Sequence, residues 1–138
     1  MILLDTNVVV DALDKTEPFH AWSKKQIEDA VAAEGGGISV VTLAELCAGA
    51  RDAEVVEPEV KLLGITVHDV PAEAAVVCGK AYRRYVAARR VSGGGAPPKT
   101  PLPDFFIGAH AEVMGWKIAT RDAERFKKYF SKVPLLTP

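Results

Sequence analysis

Cysteine is scarce: Cys47 and Cys78 are the only two in 138 residues, and no C-x-x-C pair occurs. That excludes a disulfide framework and cysteine-held zinc, and leaves two thiols expected to pack as small apolar groups. Long apolar runs are missing as well. No stretch approaches the roughly 18 residues that span a bilayer, and Met1-Ile2-Leu3-Leu4 is stopped by Asp5 before a signal-peptide core can form. A membrane role is therefore not expected, and a cytoplasmic protein is. No internal repeat is visible. What remains is a chain with 49% hydrophobic residues, enough for one substantial core, so residues 1–138 are expected to form a single domain.

Excess charge of one sign is also lacking overall, at a net −1, but the balance hides a division. Residues 1–70 hold 13 acidic and 5 basic side chains, whereas residues 71–138 hold 5 and 12. Two solvated surfaces of opposite sign would explain this. So would a fold that sets carboxylates for cations beside arginines for a polyanion.

Short β-branched runs alternate with helical stretches, the pattern of an α/β fold with a parallel sheet. Strands are expected at Ile2–Leu4, Ile38–Val41, Ile65–Val67, Trp116–Thr120 and Val133–Leu136. Helices are expected from Asp5-Thr6-Asn7 to Leu13, from Pro18 to the Gly35-Gly36-Gly37 stop, and from Thr42 to Arg51. A long amphipathic helix is expected from Pro71 to Arg90, with Ala75, Gly79, Tyr82 and Val86 on its apolar face. Asp104–Met114 and Asp122–Phe130 complete the set. The acidic stretch Asp52–Glu59 reads as a short helix and turn without a functional account. Ser92–Pro103, with three glycines and four prolines, can sustain neither a helix nor an inner strand and is expected to be an irregular surface segment.

Four acids stand out by position. Asp5 follows the first strand at the carboxyl edge, where open parallel sheets bind ligands, although an aspartate there also caps a helix. Glu45 completes a Thr42-x-x-Glu45 capping box. Asp104 after Pro103 and Asp122 after the fourth strand likewise suit helix starts. All four recur at or just inside a helix start, three of them after strands on one sheet edge. Crowded carboxylates repel by roughly 4 kcal/mol per pair at about 4 Å and a dielectric near 20, so such a cluster calls for cations. Oxygen-only ligands favour magnesium or manganese, which lower the pKa of a bound water and neutralise a scissile phosphate.

At D-T-N (Asp5 to Asn7), T-L-A-E-L (Thr42 to Leu46), P-D-F-F-I-G-A-H-A (Pro103 to Ala111) and A-T-R-D-A-E-R-F (Ala119 to Phe126), the chain resembles the PIN-domain family and, within it, the VapC-type toxins. The resemblance spans nearly the whole chain, in the order and spacing of these segments. It implies a three-layer α/β/α sandwich around a parallel sheet, and Asp5, Glu45, Asp104 and Asp122 as metal-binding, catalytic acids. It also implies Thr6, Asn7 and Thr120 as polar neighbours, endonucleolytic hydrolysis of RNA to a 5′-phosphate with Mg2+ or Mn2+, a VapB-type antitoxin and a homodimer. The loop Ser92–Pro103 and the acidic stretch Asp52–Glu59 fit a minimal family pattern less tightly.

Other residues invite quieter readings. Six helical positions rotate by about 240°, so His110 is turned away from Asp104 and is expected to be structural. His20 and His68 lack a partner at metal-ligand spacing. Trp22, Trp116, Phe105, Phe106, Phe126 and Phe130 fall at packing intervals of helices and strands and are expected in the core. Arg83, Arg84, Arg89 and Arg90 form either a solvated helix face or a phosphate track for RNA. A receiver domain would want adjacent acids near the first strand, and a haloacid-dehalogenase-like phosphatase a second aspartate where Asn7 stands. The main rival is a PIN-like adaptor that binds RNA or protein without cutting. A related structure-specific DNA nuclease would need extra helical segments.

Overall fold

Five short strands carry the architecture in a computed structural model that describes residues 1–138, apart from the side chain of Glu34. They are β1 (Ile2–Leu4), β2 (Gly36–Ser39), β3 (Thr66–His68), β4 (Lys117–Ala119) and β5 (Leu135–Leu136), all parallel in the order β3-β2-β1-β4-β5. Parallel strands need long crossovers, and helices supply them: α1 (Thr6–Leu13), α2 (His20–Asp29), α3 (Val40–Gly49), α4 (Val56–Leu62), α5 (Ala74–Val91), α6 (Pro103–Met114) and α7 (Glu124–Tyr129). No helix among the described residues is long and apolar enough to cross a membrane.

Side-chain alternation along the central strand divides the core in two. Leu3 points into a cluster with Cys78, Tyr82, Phe105, Ile107 and Phe130, while Ile2 and Leu4 point into another with Val8, Val9, Ile27 and Val60. β4 repeats the division with Ile118 and Ala119. The result is a three-layer α/β/α sandwich, as the resemblance implies.

Several boundaries differ from the expectation, each for a local reason. Gly35 alone, at φ 69°, breaks the chain after the π-turn that prolongs α2, so Gly36 and Gly37 open β2. The second strand and the helix after it therefore begin two residues earlier than expected. Ser39 is the cap of α3, accepting from the Val41 amide at 3.1 Å, so Thr42 and Glu45 form no capping box. Glu45 stands inside the helix rather than at its start. α6 starts at Pro103 after the uncapped Leu102, so Asp104 lies in its first turn and is not its cap. Asp122 precedes α7, which begins only at Glu124. On α5 the buried residues are Ala74, Cys78, Ala81 and Tyr82, a face turned by one position from the expected one, and Ala75 is exposed.

The expected aromatic core is present. Phe105, Phe126 and Phe130 are fully buried, with Trp22, Phe106 and Trp116 packed partly buried around the two clusters. His110 is buried among Trp116 and His68, consistent with a structural role. Of the thiols, Cys78 is in the core and Cys47 is half-buried.

α6 approaches Phe130 so closely at Gly108 that an added Cβ would overlap the ring, whereas at Gly79 of α5 a Cβ meets nothing within 4 Å. Gly108→Ala is expected to destabilise the fold by about 1–3 kcal/mol through overpacking. Gly79→Ala should stabilise it by about 0.5–1 kcal/mol through helix propensity. Urea midpoints of the two variants check both signs, and equal effects would refute the packing argument.

Candidate active site

The strand order reverses between β1 and β4, because the chain leaves β1 toward β2 and β3 on one side and returns to β4 and β5 on the other. A crevice forms at such a switch, outside the carboxyl ends of the strands. Asp5 follows β1 there, and Thr120, Arg121 and Asp122 follow β4 beside it. A cavity of about 330 Å³ at this edge is lined by Asp5, Thr6, Asn7, Val10, Glu45, Asp104, Arg121 and Asp122. The fold thus gathers all four acids expected from the sequence.

Asp5 is the most constrained of them. It is only 4% exposed and caps α1, its Oδ1 accepting from the Thr6 amide at 2.8 Å. Oδ2 accepts from Thr120 Oγ1 at 2.8 Å and from Asn7 Nδ2 at 2.9 Å. The same Thr120 hydroxyl accepts from the Asp122 amide at 3.0 Å, which ties the turn after β4 to the end of β1. Thr6 Oγ1 donates to Glu45 Oε1 at 2.8 Å and lies 3.3 Å from Thr42 Oγ1, so the hydroxyl next to Asp5 also aims Glu45 from α3. Thr6, Asn7 and Thr120 are therefore the hydrogen-bonding frame of the acids.

Electrostatics follow from this packing. Burial pushes the Asp5 carboxyl up from about 3.8 to about 6; the hydrogen bonds from Thr120 and Thr6 oppose the rise, and the charges of Asp104 and Glu45 add to it. Glu45 is also raised, first by burial and then by Asp104, against the Thr6 hydrogen bond. Three carboxylates on three different elements thus repel one another across one pocket.

Two arginines and one acid at this edge were not singled out by sequence. Arg125 of α7 reaches back to Asp104, Nη1 to Oδ2 at 2.9 Å, with its guanidinium 5.5 Å from the centre of the Tyr85 ring. Arg121, on the pocket wall, pairs through Nε with Oδ2 of Asp11 at 2.6 Å, and Asp11 is 1% exposed. Both arginines lie within the A-T-R-D-A-E-R-F segment, but their partners are 110 and 21 residues away, so no local spacing announced them. Of the arginines singled out on α5, none lines the acid pocket. Arg84 donates to the Tyr129 carbonyl at 2.9 Å and Arg89 to the Gly95 carbonyl at 2.6 Å, while Arg83 and Arg90 face a different cleft.

The donor set suits a hard cation in kind, being all oxygen, with Asp5 and Glu45 held above the usual carboxylate range by burial and by like charge. It is not drawn together: among the described residues no three His, Cys, Asp or Glu side chains are grouped closely enough to hold a metal. Arg125 meanwhile occupies an oxygen of Asp104.

Asp5→Asn tests the electrostatics directly. The folded carboxyl titrates near 6, above its unfolded value near 3.8, so its ionisation costs the metal-free fold stability. That cost is absent below about 3.8, grows as pH rises toward 6 and is complete above it, at on the order of 3 kcal/mol. In EDTA, Asp5→Asn should therefore melt above wild type at pH near 8, with the difference vanishing near pH 4. His68 and His110, whose burial lowers both, contribute equally to the two proteins and cancel. A melting difference independent of pH would refute the assignment of strain to Asp5.

Residues 2–131 match the PIN domain family. No curated protein matches the chain in sequence. Among solved structures, the VapBC2 complex of Rickettsia felis, bound to a DNA fragment of its promoter, is similar at 21% identity and a TM-score of 0.71, over 100% of this chain and 99% of that one. FitAcB from Neisseria gonorrhoeae is similar at 23% identity and 0.68, over 100% and 98%. A toxin–antitoxin complex from Klebsiella pneumoniae is similar at 23% and 0.61, over 100% and 98%. The identities are those of a shared fold, and with the family match over nearly the whole chain they establish that this protein belongs to the PIN domain family.

Proposed function

We propose that residues 1–138 form one catalytic domain, the toxin of a VapBC-type pair, and that it is an endoribonuclease dependent on Mg2+ or Mn2+. The observation that carries this reading is the buried Asp5 carboxylate, held at the switch point of a PIN fold beside Glu45 and Asp104, whose negative charges add to the rise of its pKa. Asp5, Glu45, Asp104 and Asp122 would hold the cation. When bound, it polarises water and offsets the charge on the scissile phosphate.

The chain's own groups set the geometry. Thr6, Asn7 and Thr120 fix Asp5, and Thr6 turns Glu45 toward the same pocket. Glu45, its carboxyl raised, is suited to accept the proton of the attacking water. Water oxygen bonds to phosphorus as the bond to the 3′ oxygen breaks; the departing 3′ oxygen takes a proton from solvent, giving a 3′-hydroxyl and a 5′-phosphate. Arg121, with its side chain 39% exposed on the pocket wall, is placed to meet the phosphate. The similar structures are VapBC and toxin–antitoxin complexes, which supports a VapB-type antitoxin as the protein partner; that the unit it binds is a homodimer is part of the same proposal.

One observation favours the competing reading, a silent adaptor that binds RNA: Asp104 is paired with Arg125 and no three-ligand group is assembled. Cleavage separates the two. Purified chain incubated with structured RNA should cut in Mg2+ or Mn2+, stop in EDTA, and lose on the order of a hundredfold or more of its rate as Asp5→Asn or Asp104→Asn while remaining folded. Undiminished cutting in EDTA would sink the metal mechanism, and no cutting by wild type in either metal would favour the adaptor.

The partner is tested in cells. Expression of wild type should arrest growth, Asp5→Asn/Asp122→Asn should not, and co-expression of an adjacent small antitoxin gene should restore growth and copurify with the chain. If wild type harms neither growth nor RNA and no neighbour binds, the toxin assignment fails.

A further inference from the structure

The Gly- and Pro-rich segment before α6 does more than connect. It folds back on the second half of α5 and walls off a cleft of about 840 Å³ whose lining includes Arg83, Arg90 and Lys99 and no acid. All three cations are exposed, and none has a hydrogen-bond or ion-pair partner among the described residues. The wall is fixed without any ligand: Tyr82 donates its hydroxyl to the Pro98 carbonyl, Arg89 Nε donates to the Gly95 carbonyl at 2.6 Å, and the Gly94 amide donates to the Arg89 carbonyl at 3.0 Å. A Cβ at Gly94 would lie 2.8 Å from Arg89 Cγ, so this close approach requires glycine.

Three unpaired cations around one cleft repel one another, and a preformed cleft of that kind is complementary to a chain of anions. We propose that this cleft is a second nucleic-acid site, which holds the phosphate backbone of single-stranded RNA away from the bond that is cut. The proposal rests on the ribonuclease reading of the acid pocket. The two sites are linked by a short chain of residues. Asp122 is shared between the acid pocket and a hollow of about 300 Å³ that also includes Arg125, Lys128 and Tyr85, and the Tyr85 hydroxyl accepts from Arg89 at 3.0 Å. Arg89 in turn braces the cleft wall, and Arg83, Arg90 and Lys99 are the groups that face phosphate.

The test reads binding alone, so that it does not depend on cleavage. A fluorescein-labelled single-stranded RNA of about 20 nucleotides is titrated with the full chain in EDTA at several salt concentrations. The triple variant Arg83→Gln/Arg90→Gln/Lys99→Gln should bind on the order of tenfold more weakly at low salt, and the slope of log K against log salt should flatten by about 2, as expected for three lost phosphate contacts on a single strand. Lys24→Gln/Lys25→Gln/Lys61→Gln, which removes the same charge from α2 and α4, should bind as wild type, and melting curves check that both variants fold. Equal losses in the two triple variants, or none in the first, would overturn the cleft while leaving the acid-pocket reading to its own cleavage assay. Failure of wild type to bind RNA would overturn it too, as would tighter binding of labelled poly-glutamate than of RNA, which would mark a protein dock.

Discussion

A carboxylate that water scarcely reaches is the constraint on which this structure turns. Asp5 sits at the end of the central strand, fixed from the adjoining first turn of α1 by the Thr6 backbone amide and the Asn7 side-chain amide, and from 115 residues away by the hydroxyl of Thr120 after β4. Those hydrogen bonds favour the ionised form, yet burial and the neighbouring acids outweigh them, and the carboxyl titrates near 6. A fold selected for stability alone would place an amide or an apolar residue here. A cationic ligand, as proposed for this pocket, would convert the repulsion into attraction.

Topology and packing contribute separately to the site. The sheet brings Asp5 and Asp122 together, since β1 and β4 are hydrogen-bonded neighbours whose carboxyl ends open on one edge. Asp104 arrives by another route. α6 is anchored by fully buried Phe105 and Ile107 and by the close approach of Gly108 to Phe130, and that docking, rather than any strand, carries the first turn of α6 to the pocket. Glu45 depends on α3 being entered early, at Ser39, so that the sixth residue of the helix rather than its first turn faces Thr6.

What the sequence made legible was the part that repeats locally. Alternation of β-branched runs and helical stretches gave the layers and the sheet, and the resemblance of four segments to the PIN family pointed to the four acids that share the pocket. Boundaries were less legible because Gly36-Gly37 reads as a stop and here is strand, and because Thr42-x-x-Glu45 reads as a cap and here is mid-helix. Both patterns are satisfied by tertiary partners that no window contains. The same reason hid Arg121 and Arg125, whose roles are defined by Asp11 and Asp104.

Of those two arginines, one also joins the oppositely charged halves of the chain. Arg121 from the basic half closes on Asp11 from the acidic half, and its pair is nearly dry on the acid's side, so removing either partner would strand a charge. Arg125 and Asp104 differ: each is about a third exposed, so the pair is screened and weak, and its exchange for another cation is easy. The strong pair braces the wall of the pocket, and the weak one lies where a metal would need an oxygen. If a cation binds as proposed, Asp104 could be released to it without unfolding the edge that holds Asp5. A guanidinium freed in the same step would remain beside the pocket, over the rings of Tyr85 and Phe105, on the side from which RNA would pass toward the cleft on α5.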